Sequence, residues 1–370
     1  MAITAFSKFF KRELDVQQIL NLYAEMADNN NLSEFIKVDI ECPCCGVTGA
    51  RIVKEGVSSK TNLIVKQAHF AFTNDNGEDA HLIFCDYYAG DERTKKPSSD
   101  EIINLSESRN EITEEIRKHV CAAIHNQIFQ QQDIRNMREW FYNLRSTQDF
   151  LVEHSNHQLN VLRKTIIRSE RNRHEYTIDL NIPNNEWFDL DEEVYESLAT
   201  KFPYPEKVKE INNMNYYLTR KTIVKRAISL SKKNHGQYEF DRNRLFENYK
   251  LAMRLSFKII ETNEIFKKRI GLSNTSKRKG NNPLMAYSAT LLFVNEWDLE
   301  RAIKMHYEIS TSKFSDENLG NVVGLNPFIH YDAWLALRFV TEWKKEYLGF
   351  DFEQEFIKEK KRLKIIYQIE

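Results

Sequence analysis

Apolar positions change their period along the chain. Phe9, Phe10, Leu14, Ile19, Leu20, Leu22 and Tyr23 recur at helical spacing from Ser7 to the asparagine-rich stretch Asp28-Asn29-Asn30-Asn31, which predicts one helix and its stop. From Phe35 to Tyr88 alternation takes over, in Ile36, Val38 and Ile40 and then in Arg51–Val53, Leu63–Phe72 and His81–Tyr87. Gly46, Gly49, Gly56 and Gly77 separate these runs. Such a pattern predicts short strands in a small module, closed by the polar run Gly90–Asp100.

Beyond Asp100 the period is helical. Ile112, Ile116, Val120, Ala123, Ile124 and Ile128 mark one helix face, and Trp140, Phe141, Leu144 and Phe150 a second helix over Asp133–Glu153. Glu175–Ile182 alternates as a strand would. Pro203 and Pro205 bracket a hinge, and further helices are predicted near Lys207–Lys233, Asp241–Ile270, Pro283–Ile309, Tyr331–Leu348 and Phe352–Tyr367. The chain therefore reads as mostly α, with a small β module near its start and α+β overall. Its predicted segments are 1–98, 99–203 and 204–370. Eleven Gly and seven Pro in 370 residues are under half the usual combined share of about 12%, which favours long helices over many-stranded sheets.

The opening AITAFSKFFKREL lacks the apolar core of a secretory signal, and no apolar run approaches the roughly 20 residues that span a bilayer. Four of the five Cys fall between positions 42 and 85, which suits a metal site in a reducing compartment better than a disulfide framework. A cytoplasmic protein without a membrane partner is the expectation. No P-loop, GxGxxG, GxSxG or HExxH is present.

The sharpest motif is Cys42-Pro43-Cys44-Cys45-Gly46. Thiolates three residues apart on a tight turn, with a glycine to let the chain double back, can face one tetrahedral ion. Two more ligands are needed. The preferred set is Cys42, Cys45, His69 and Cys85, with His81 as the alternative for either of the last two and Cys44 pointing away. A closed set of four would hold a structural Zn2+ and stabilise a β module too small to bury an adequate core.

The knuckle, followed by Gln67-Ala68-His69-Phe70-Ala71-Phe72, resembles the N-terminal zinc-finger region of competence protein CoiA-like proteins, in which C-P-x-C precedes H-F-A-H. Phe72 stands where that family has a second His. The family's nuclease-type acidic cluster is not found in the following region. The likeness spans roughly 50 of 370 residues and implies a zinc module in a prokaryotic protein that handles nucleic acid, as in DNA uptake or antiviral defence.

The net charge of −1 hides an asymmetry. Between Pro205 and Gly280 nineteen Lys or Arg face seven Asp or Glu, an excess of twelve positive charges. That is a footprint for a polyanion, DNA or RNA. Arg220, Lys221, Lys225 and Arg226 cluster on a predicted helix, while Lys277, Arg278 and Lys279 sit in a Gly- and Asn-rich loop, with Tyr216, Tyr217 and Tyr249 as stacking surfaces. The competing use of this charge is pairing with Asp189, Asp191, Glu192, Glu193 and Glu196, or with a second copy of the chain. Nucleic-acid binding is thus the leading expectation, with a protein–protein scaffold or complex subunit as the alternative. A second alternative is a HEPN-type ribonuclease, from the Arg-x4-His spacing of Arg301 and His306, which Arg168 and His174 repeat at looser spacing. Asp189 is expected to cap a helix.

Overall fold

A computed structural model describes residues 2, 4–26, 31–57, 64–74, 76–85, 87–89, 102–104, 110–171, 175–202, 218–270, 282–312, 323–346 and 350–369. The helices in them are α1 (Val16–Ala24), α2 (Leu32–Asp39), α3 (Glu111–His125), α4 (Gln131–Arg145), α5 (Asn156–Glu170), α6 (Leu190–Ala199) and α7 (Lys221–Lys233), then α8 (Phe246–Thr262), α9 (Glu264–Ile270), α10 (Asn282–Val294), α11 (Leu299–Thr311), α12 (Tyr331–Glu346) and α13 (Phe352–Tyr367). The predicted class holds: helices dominate, and the strands are few and short. Among the described residues, no helix is long and apolar enough to cross a membrane.

Two compact units divide the chain, each made of two separate stretches: Met1–Thr147 with Leu245–Ile329, and Gln148–Arg244 with His330–Glu370. These units cut across the three segments read from composition, because compactness follows tertiary packing between elements distant in sequence. The hinge expected at Pro203 and Pro205 lies outside the described residues.

The first unit opens with a hairpin of β1 (Thr4–Ser7) and β2 (Arg12–Asp15), in place of the start of the helix predicted from Ser7. Asp15 sets the true helix start. Its side chain accepts from the Gln18 amide while the Gln18 side chain accepts from the Asp15 N–H, a reciprocal cap. A third strand, β3 (Ile40–Glu41), pairs with the other side of β1. The alternating Ile36 and Val38 belong to α2, not to a strand. Asn31 caps that helix, and Val38 is 58% exposed, so the alternation there does not report a buried face. The predicted strands do form farther on: β4 (Ala50–Val53) pairs with β7 (His69–Phe72), and β5 (Gly56–Val57) with β6 (Ile64–Lys66). Residues 81–85 make turns where a strand was expected.

The helical part of this unit is organised by α10, whose buried residues Leu284, Met285, Ala286, Tyr287, Ala289, Leu291 and Leu292 lie all round its axis. A helix apolar on every side must sit inside, and α3, α4, α8 and α11 pack against it.

In the second unit α5 is central, touching α6, α7, α12 and α13. Asp189 caps α6 as expected, accepting from the Asp191 and Glu192 amides. Residues 175–182, predicted as a strand, make none, and Ile182 opens a short 3-10 turn. Their apolar Ile178 and Leu180 are exposed, with no partner strand among the described residues to cover them.

Candidate metal centre and basic face

Cys42 and Cys45 are placed by the knuckle turn. The Gly46 N–H donates to the Cys42 carbonyl at 2.9 Å, which requires the positive φ of 75° that Gly46 supplies. A second turn, closed by the Cys85 N–H donating to the Leu82 carbonyl at 2.8 Å, brings up His81 and Cys85. The three sulfurs and one imidazole nitrogen all lie within 4.8 Å of one another, and the three cysteines are buried. Cys42 Sγ is 3.7 Å from Cys85 Sγ, while His81 Nδ1 is 3.6 Å from Cys45 Sγ and 3.4 Å from Cys85 Sγ. A tetrahedral ion with metal–sulfur bonds of about 2.3 Å and metal–nitrogen bonds of about 2.0 Å has edges of about 3.8 Å and 3.5 Å. The donor set therefore has the dimensions to hold a metal ion.

His81, the alternative ligand, occupies the place first given to His69. Along β7 side chains alternate, so His69 and Phe72 lie on opposite faces of the strand. Phe72 packs against the His81 ring, whereas His69 Nδ1 lies 3.0 Å from the Gln67 carbonyl. The Phe72 and Tyr87 rings, 5.2 Å and 5.7 Å from the His81 ring, orient the imidazole. Cys44 stands outside the mutual set, yet its thiol is close enough to raise the Cys85 pKa, and it is 1% exposed.

Electrostatics of the three thiols favour a cation. Burial pushes the Cys42 and Cys85 thiols up, whereas hydrogen bonds from Cys42, Cys85 and His81 and from the Leu82 amide pull Cys45 down. Deprotonating the buried Cys42 and Cys85 thiols calls for a positive ion between them.

What the sequence did not show is how the knuckle is held. Arg135 on α4 donates to Glu41 at 2.9 Å and to the Cys42 carbonyl at 3.2 Å, and Gln131 donates to the Pro43 carbonyl at 3.1 Å. Both are buried. A helical Arg and Gln among many carry no local signal of this role.

The basic residues fare unevenly. On α7, Val224, Ala227 and Ser231 face inward, while Lys221, Lys225, Arg226, Lys232 and Lys233 are exposed, and the helix contains no acidic residue. Lys232 and Lys233 extend the predicted cluster. Lys221 donates to Glu192 at 2.8 Å, joining Arg163 and Lys164 around that carboxylate. The acidic stretch thus takes up part of the positive charge, as the competing expectation held. Arg244 with Asp149 and Arg269 with Glu111 take up more. Lys225, Arg226, Lys232 and Lys233 form no ion pair among the described residues. Lys277, Arg278 and Lys279, with Tyr216 and Tyr217, lie outside the described residues.

Arg301 and His306 do not meet. Five residues along a helix is a turn of about 140°, so the pair diverges. Arg301 is exposed and ion-paired with Asp298 at 3.8 Å. His306 is 2% exposed, 3.2 Å from Thr262 Oγ1 and 3.3 Å from Tyr287 Oη, and burial lowers its pKa to about 4. Arg168 is paired with Glu196 at 3.3 Å, and His174 lies outside the described residues.

Comparison of the chain with protein-family models, curated proteins and solved structures finds no match in any of the three.

Proposed function

We propose that this protein binds nucleic acid through the exposed face of α7, and that Zn2+ held by Cys42, Cys45, His81 and Cys85 stabilises its N-terminal module. The observation that carries the reading is the α7 face itself: four cations that form no ion pair among the described residues, within one helix that has no acidic residue. Lys225 and Arg226 lie one turn from Lys221 and Thr222, and Lys232 and Lys233 fall two turns on, so the cations line one side. Such a row suits successive phosphates, with affinity arising from counterion release. Zinc is favoured among metals by three thiolates and an imidazole in tetrahedral dimensions. Four ligands leave no open position, so the ion would be structural. The motif likeness to the zinc-finger region of CoiA-like proteins supports a cytoplasmic prokaryotic setting such as DNA uptake or antiviral defence.

Fluorescence anisotropy with labelled single- and double-stranded DNA and RNA across a salt series tests this. Four to five phosphate contacts predict a log–log salt slope of about −4 on duplex DNA. Changing Lys225, Arg226, Lys232 and Lys233 together to Glu should abolish binding. Absence of binding at low salt would refute the proposal and leave the basic helix as a protein-docking face, the scaffold reading that the Lys221–Glu192 pairing favours.

A further inference from the structure

In the first unit, the hairpin of β1 and β2 and the connection from α3 to α4 border a half-open cavity of about 430 Å³, within the usual range for small-molecule sites. Its lining contains two cations, an imidazole and four glutamines, and no carboxylate. Three of these polar side chains are uncommitted. Lys11, His125 and Gln127 form no side-chain hydrogen bond or ion pair among the described residues, although each is exposed on the cavity wall. Arg135 in the lining is 7% exposed; its Nη atoms are held by Glu41 and the Cys42 carbonyl, and its Nε is sealed from solvent without a hydrogen-bond partner. Its guanidinium lies 5.9 Å from the centroid of the Phe6 ring, so a flat, partly apolar wall stands beside the positive charge. Lys11 and Gln127 both hold positive φ, at 52° and 57°, which sets them on the rim from tight turns.

These features select among ligands. Arg135 is already paired with Glu41, which leaves Lys11 as the uncompensated cation of a lining without a carboxylate, and such a lining takes an anion. A bare phosphate would leave the Phe6 wall and most of the volume unused. An aromatic ring carrying hydrogen-bonding edges would stack on Phe6 and Arg135 and meet the free amide of Gln127. We infer that this cavity binds a nucleoside phosphate, with the phosphate on Lys11 and His125 and the base between the Phe6–Arg135 wall and Gln127. The source of that group is either a free mononucleotide or the phosphorylated end of a strand. This inference does not rest on α7, which belongs to the other unit.

Isothermal titration calorimetry on the metal-loaded full chain tests it, using AMP, GMP, CMP and UMP, sodium phosphate, and a 5′-phosphorylated trinucleotide. Saturable binding of a nucleoside monophosphate, weakened about tenfold by Lys11→Gln and again by Gln127→Ala, is the expected result. Both residues are on the surface, so circular dichroism of the variants should match that of the parent chain. Binding of the trinucleotide but not the mononucleotides, with the same sensitivity to Lys11→Gln, would support the site and assign it to a strand end. Running both on the α7 quadruple Glu variant separates the two sites: retained, Lys11-dependent binding supports the cavity whatever happens to α7. No saturable binding, equal affinity for phosphate and nucleotide, or affinity indifferent to Lys11→Gln would each overturn the inference.

Discussion

Glu13 offers a test that can be worked from the structure. It lies opposite Phe6 in the β1–β2 hairpin, with its Oε1 accepting from Thr4 Oγ1 and its Oε2 sealed from solvent without a hydrogen bond. The fully buried Arg138 of α4 lies near enough to favour the charged form, as does the Thr4 hydroxyl, but burial outweighs both and raises the carboxyl from 4.5 to about 7. The folded protein therefore keeps this proton to about pH 7, while the unfolded chain releases it near pH 4.5. Between those values the folded state binds more protons, so stability falls as pH rises through the window, by about 2 to 3 kcal/mol from pH 5 to pH 8. Glu13→Gln keeps an acceptor for Thr4 and removes the titration. Urea denaturation followed by circular dichroism at the two pH values should show the parent chain losing about 2 to 3 kcal/mol more than the variant. Parallel losses in both proteins would refute the assignment of a half-buried, neutral Glu13.

Three further outcomes are expected. His81→Ala should abolish stoichiometric metal binding measured by elemental analysis, while His69→Ala keeps it, since only His81 joins the three sulfurs. Gly46→Ala should weaken metal retention against a competing chelator, because the residue holds φ 75° and its Cβ would come within 2.9 Å of Arg135 Nη1. Glu192→Gln should lower stability at pH 7 by about 1 to 2 kcal/mol in denaturant titrations, leaving Arg163 and Lys164 underpaired. Burial opposes the charge on Glu192, but hydrogen bonds from Lys221 and Lys164 hold its pKa at about 2. The contribution is therefore present above pH 4.5 and vanishes as the pH falls toward 2, where the two proteins should converge.

Much of the helical architecture was legible because long amphipathic periods leave little choice. Phe352–Tyr367 and Tyr331–Glu346 fall almost where the period placed them. The N-terminal errors share one cause: Asp15 and Asn31 are caps, and a cap decides a helix start more firmly than two or three alternating residues. For the metal centre, Cys42, Cys45 and Cys85 could be read from the knuckle and the scarcity of cysteines. The choice between His69 and His81 could not, since both faces of β7 are buried and the outcome depends on which one carries the Phe72–His81 contact. The clamp by Gln131 and Arg135 is a long-range contact, invisible to any local pattern. The basic helix was legible as composition. Which of its charges stay free was not, because Glu192 approaches Lys221 only through the packing of α6 and α7 around α5.

The interleaving of the two units has a bearing on synthesis. All four donors of the candidate metal cluster have been synthesised by residue 85, and the helix that clamps the knuckle by residue 145. Yet the first unit lacks α10, its central helix, until residues 282–294 emerge, and the second waits for α12 and α13 at the end of the chain. Domains fold as their parts become available, so the knuckle can close long before either core is whole. A nascent chain halted between residues 244 and 282 would carry a closed knuckle beside two unfinished cores, with apolar faces of α3, α4 and α5 uncovered. Translation past residue 329 completes the first core ahead of the second, a vectorial order imposed by topology alone.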